Sequence, residues 1–164
     1  QQQALLLPVP YFMVTFTLPE ELRTLCLTHP EILYPLILRQ SAAALQDISA
    51  TKHHGARLGF TSVLHTWGRQ IQHHPHVHLI VPAAAFHPKH QTLHHPAKDQ
   101  FLIHYRPIAE RFRSRIHSTL KNEHPDIYQN LTPIQRHVLS PAKTWNVQLQ
   151  HAGSGRTGPD NRAA

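Results

Sequence analysis

The run His74-Pro75-His76-Val77-His78-Leu79-Ile80-Val81 constrains this chain more than any other stretch. Val77, Leu79 and Val81 alternate with His76, His78 and Ile80, and a two-residue period becomes two faces only on an extended strand. The aliphatic face can enter a core and fix the strand, while both imidazoles project together from the other side. Their Cβ atoms then stand about 6.5–7 Å apart, twice the rise per residue, a spacing from which two ring nitrogens can converge on one cation. Pro75, with no N–H, is expected to stiffen the entry and end the ladder on that side.

Seventeen of the 164 residues are histidine, so the pair must be weighed against chance. A chain of this composition yields roughly one or two His-x-His pairs at random, and two exposed strand histidines remain the alternative to a metal site. The setting favours a metal. Imidazole suits several divalent ions, and the single Cys26 leaves no thiolates for a closed zinc site. His65, near the end of the preceding strand, is the candidate third ligand. The alternative for it is a strand histidine bonded to a neighbour. No carboxylate lies within ten residues of the pair, which argues against a hydrolase of small phosphoesters.

The rest of the chain supplies a frame for that strand. YFMVTFTL (11–18) alternates and predicts a strand, and Pro19-Glu20-Glu21 opens a helix with acids at its positive end. A longer helix is expected over 30–48, with Leu33, Leu36, Ile37 and Leu45 as its apolar stripe. RLGFTSVLHTW (57–67) reads as one strand, GRQIQHHP as a turn holding His73 and His74, and 76–81 as the next strand. Residues 86–99, rich in His, Pro and Lys, read as an exposed loop. Helices are expected over 107–121, on the spacing of Ile108, Phe112, Ile116 and Leu120, and over 127–138. WNVQLQ (145–150) predicts a last strand, 153–158 a flexible loop, and 159–164 the start of a helix. Alternating strands interspersed with helices predict an α+β domain: a central antiparallel sheet with helices mainly on one face.

Lys and Arg outnumber Asp and Glu by 16 to 9. The resulting pI of about 10.1 favours a polyanionic partner, nucleic acid first, over an inert basic surface. No apolar run is long enough to span a bilayer. The opening residues lack the marks of a signal peptide, so cytoplasm is the expected compartment. The chain begins without Met and is expected to be cut from a longer protein.

LLLPVPYFMVTFTLPEEL, LGFTSVLHTWGRQIQHHPHVHLIVP and TWNVQLQHAGSG, in this order and spacing, resemble the two-tyrosine rolling-circle transposases of bacterial insertion sequences, members of the HUH endonuclease superfamily. The resemblance covers nearly the whole chain. It implies an HUH/Rep-like sheet with flanking helices, related to the ferredoxin-like fold. It implies His76 and His78 as ligands of Mg²⁺ or Mn²⁺ beside a scissile phosphate of single-stranded DNA at transposon ends, with a hairpin as a further possible target. A tyrosine then attacks, becoming joined to the 5′ end. The location implied is bacterial cytoplasm, at the nucleoid. Family members carry two tyrosines four residues apart on a helix following the segment that matches QHAGSG. Tyr11, Tyr34, Tyr105 and Tyr128 show no such spacing. Residues 1–164 are therefore expected to be one partial catalytic domain. Its tyrosine helix would follow Ala164, and a cysteine-rich zinc-binding segment would precede residue 1. Ala83-Ala84-Ala85 stands where the family has glycines.

Trp67, Arg69, Arg111, Arg113 and Arg115 are the DNA-binding candidates. Trp67 could instead be core, and the helix arginines a solvated face. A non-catalytic DNA-binding module from a decayed element is the competing reading.

Overall fold

A four-stranded antiparallel sheet organises the molecule. The structure is a computed structural model and describes residues 6–52, 55–68, 70–94 and 104–155. In chain order its elements are β1 (Pro10–Thr17), α1 (Glu20–Thr28), α2 (Pro30–Lys52), β2 (Arg57–Leu58), β3 (Thr61–Trp67), β4 (His73–Pro82), β5 (Ala85–His87), β6 (Thr92–His94), α3 (Tyr105–Glu123), α4 (Pro125–Gln129), α5 (Pro133–Leu139) and β7 (Val147–Ser154). The main sheet has the order β3-β4-β1-β7 and a small second sheet the order β2-β5-β6. The architecture is the α+β arrangement expected from the sequence.

Alternation decides which face of the main sheet is covered. Phe12, Val14 and Phe16 of β1 and Val77, Leu79 and Val81 of β4 are all buried in one continuous core. The helices pack on that face, where Phe16 meets Phe112 of α3 edge-on at 5.0 Å and Phe112 in turn meets Trp145 at 5.3 Å. The opposite face is open. It carries Thr15, His76 and His78, which are half-buried, and Val63, His65 and Ile80, which are exposed.

Several boundaries differ from the sequence expectation, each for a local reason. The strand expected over 57–67 is split: Gly59-Phe60 separates β2, which pairs with β5, from β3, which pairs with β4. The 86–99 loop is in its described part a hairpin, Phe86 opposite Leu93, so strand pairing prevails over polar composition. The helix expected over 127–138 is two. Thr132 caps the second in a reciprocal capping box with Gln135, and Pro133 opens it. The last strand runs on to Ser154, through part of the expected loop. His73 and His74 belong to β4 rather than to a turn. Residues 156–164, with the expected helix start, lie outside the described residues. Ala83, Ala84 and Ala85 are buried, and none has a positive φ, so this backbone does not require glycine.

The three α3 arginines expected on DNA, Arg111, Arg113 and Arg115, are engaged elsewhere, on the covered side of the sheet. Arg113 is 7% exposed and donates to the Leu139 carbonyl at 2.8 Å, which corrects its reading as a DNA contact. Arg115 forks the Asp47 carboxylate at 2.9 and 3.1 Å, joining α3 to α2, and Arg111 approaches the same carboxylate at 3.3 Å. Arg115's hydrogen bonds hold the Asp47 carboxyl below its ordinary pKa, against a smaller opposing effect of burial. A lowered folded value means that this clamp contributes stability above the ordinary carboxylate range and loses it as pH falls through the folded value. Asp47→Ala is expected to lower stability by about 1 kcal/mol at neutral pH, since the pair is partly solvent-screened. The difference from the parent should shrink in urea melts carried towards about pH 3.

Candidate metal centre

Pairing of β3 with β4 brings the third histidine to the other two. His65 lies directly opposite His76 and Val63 opposite His78, so all three imidazoles stand on the open face. Ring centroids are 4.8 Å apart for His76–His78, 4.8 Å for His65–His78 and 5.2 Å for His65–His76. One nitrogen from each of the three lies within 4.8 Å of the others, the only such trio of metal-ligating side chains among the described residues.

Hydrogen bonds orient two of the rings. His76 Nδ1 lies 2.6 Å from the His74 carbonyl oxygen, which can only accept. Nδ1 therefore carries the proton, and the Nε2 lone pair is left for a ligand. His78 Nδ1 contacts Thr15 Oγ1 at 2.9 Å, so β1 orients the second ring through the Thr15–His78 pairing. Such outer partners fix the tautomer and aim the ring, as they do in metal sites generally. Burial first, then the neighbouring imidazoles of His76 and His65, push the His78 pKa below its ordinary value and favour the neutral, ligating form.

The expectation that Pro75 ends the ladder holds towards β1, whose pairing stops at Thr17–His76, and is corrected towards β3. The register shifts between His65 and Trp67, and pairing resumes at Trp67–His73. The missing N–H of Pro75 is thus absorbed as an irregularity, which keeps His74 in the strand, where its carbonyl serves His76. Sequence reasoning gave His74 no role, because a backbone acceptor leaves no trace in side-chain pattern.

The trio lines a groove on the open face together with Trp67, Gln70, Gln72 and His74, and among the described residues no carboxylate lines it. Trp67 is 59% exposed, so it is not core. Arg69 lies outside the described residues. None of the four tyrosines lines this groove. Tyr11 accepts from the Leu7 amide, Tyr34 pairs with His73 and Tyr128 with His117, while Tyr105 is exposed on α3. A divalent ion fits the donor set: three convergent imidazoles, two of them oriented by a second bond.

Comparison with known proteins agrees with this architecture. Residues 59–158 match the family Y2_Tnp, described as "Putative transposase". "Putative transposase y4qJ" of Sinorhizobium fredii is 39% identical over 113 residues, 68% of this chain and 28% of that protein. "Transposase for insertion sequence element IS801" of Pseudomonas savastanoi pv. phaseolicola is 40% identical over 74 residues, 45% of this chain and 17% of that protein. The chain thus spans less than a third of either relative. Among solved structures, the conjugative relaxase TrwC, in complex with OriT DNA and metal-free, superposes with a TM-score of 0.54 at 14% identity. That match covers 68% of this chain and 44% of the relaxase, and it shows a shared fold of the HUH type.

Proposed function

Because this chain belongs to the Y2_Tnp transposase family and has the HUH endonuclease fold, we propose that it is the metal-bearing part of a transposase that nicks and rejoins single-stranded DNA. The observation that carries this reading is the convergence of His65, His76 and His78 on an open sheet face, with the His76 tautomer set by a backbone carbonyl.

His65, His76 and His78 would hold Mg²⁺ or Mn²⁺. Bound there, the ion would supply positive charge to the oxygens of a phosphodiester. The ligands would be imidazoles, which carry no negative charge, and among the described residues the groove lining adds no carboxylate to offset that of the ion. The site is therefore attractive to a phosphate and open to a strand lying across it. Thr15 and the His74 carbonyl keep the rings aimed, so little reorganisation is needed when DNA arrives.

On this reading the nucleophile is a tyrosine outside the described residues, on a helix following Ala164, and a zinc-binding segment precedes residue 1. The tyrosine oxygen bonds to phosphorus, the bond to the 3′ oxygen breaks, and that oxygen leaves as a hydroxyl. The phosphotyrosine conserves the bond for transfer to another 3′ end. The substrates fitting this reading are single strands at transposon ends, hairpins among them.

The test uses the longer protein, including the sequence after Ala164, mixed with 3′-labelled single-stranded DNA and Mn²⁺. A labelled covalent adduct that requires Mn²⁺ and resists denaturant is expected. If a folded protein carrying both tyrosines binds the DNA yet forms no adduct, the competing reading of a non-catalytic DNA-binding module stands instead.

A further inference from the structure

The end of β3 and the turn that joins it to β4 hold two exposed apolar residues that the metal centre does not use. Trp67 is 59% exposed and Ile71 81% exposed. Trp67 follows Val63 and His65 on the open face and lines the groove beside the three histidines. Its ring is braced from one side by His73, edge-on at 6.0 Å, and His73 Nε2 is in turn tied to the Tyr34 hydroxyl at 3.1 Å. The indole is thus held in position while much of its surface stays in water.

The turn itself is tightly made. The Gly68 amide donates to the Gln72 carbonyl at 2.9 Å and the Ile71 amide to the Gly68 carbonyl at 3.0 Å. The Gln70 amide donates to Gln72 Oε1 at 3.0 Å. A Cβ at position 68 would stand 2.5 Å from the Gln72 side-chain nitrogen, so glycine lets that amide fold over the turn. Ile71 contradicts this economy. Its φ is 60°, in the left-handed region. There a β-branched residue is strained, and glycine is the residue that ordinarily takes this conformation. Isoleucine at this point costs stability through backbone strain and, being exposed, gains no burial in return. A residue that serves the fold would not be of this kind, whereas one that meets a ligand would.

We propose that this turn grips nucleobases, with Trp67 stacking on the base next to the phosphate at the histidines and Ile71 pressing as an apolar wedge against a neighbouring base. The proposal rests on the groove being a DNA site and adds how the strand is seated there. Only a single strand presents free base faces to an indole, so the grip selects single-stranded over duplex DNA.

The test measures binding of the 164-residue chain to fluorescein-labelled single-stranded oligonucleotides and to the matching duplex, with melting curves for each variant. Trp67→Ala is expected to weaken single-strand binding about tenfold. A single abasic position moved along the oligonucleotide should reproduce that loss at one or two adjacent sites. Ile71→Gly is expected to weaken binding severalfold and yet raise Tm, because glycine relieves the strained backbone. A turn with a structural role alone would raise Tm in Ile71→Gly and leave affinity untouched, which overturns the proposal. So does a pair of variants that each bind single strands as tightly as the parent. A parent chain that binds no single-stranded DNA overturns the reading of the groove itself.

Discussion

His76→Ala lowers Mn²⁺ affinity by more than about a hundredfold, the upper range for losing even an outer-shell partner of a metal ligand. It leaves stability within about 0.5 kcal/mol of the parent, as expected for a side chain away from the core. The two effects separate because His76 is half-buried on the open face while Val77 and Leu79 carry the packing beneath it. Removing the ring takes away one of three convergent nitrogens and leaves the His74 carbonyl facing solvent, where water satisfies it. Isothermal titration with Mn²⁺ at constant pH reads the affinity, and a thermal melt of the same sample reads the fold. An unchanged affinity would remove His76 from the site. A large fall in Tm would make it a structural residue.

The opposite dissociation is expected one residue further on. Leu79 is fully buried between His78 and Ile80. Leu79→Ala should cost about 3 kcal/mol, through lost transfer energy and the cavity left behind. For a chain of this size that corresponds to a Tm fall of roughly 6–12 °C. Below its Tm the variant should still bind Mn²⁺ near the parent affinity, because the neighbouring rings are held from the open side by Thr15 and the His74 carbonyl. Ile80→Ala, on the open face at 37% exposure, should change stability little. Chemical denaturation of the three proteins checks the pattern. A similar cost at positions 79 and 80 would mean that the two faces are not segregated.

What could be read from the sequence follows the same division. The faces of β1 and β4 were legible because alternation is a local property, and it named the buried and the projecting residues correctly. His65 was legible at one remove, since consecutive strands joined by a short turn pair as a hairpin and its position then falls opposite His76. What could not be read depends on distant segments. The partner of Arg115 is Asp47, 68 residues away, and the acceptor for Arg113 is the end of α5, so helical periodicity could not distinguish a DNA-facing arginine from a clamp. The exposure of Trp67 depends on the helices covering only the other face. The β5–β6 hairpin was hidden by a composition that reads as loop, although Phe86 and Leu93 face each other across it. The strained Ile71 was invisible too, because its backbone angle is set by closure of the turn.

On the reading proposed above, β3 and β4 aim three imidazoles at one ion. A crystal of this chain grown with Mn²⁺, with anomalous data collected near the manganese edge, tests it most directly. An anomalous peak is expected at coordination distance from a ring nitrogen of His65, His76 and His78, with the Nδ1 of His76 still on the His74 carbonyl. A Mn²⁺-saturated crystal with no peak there, its three rings turned apart, would contradict it.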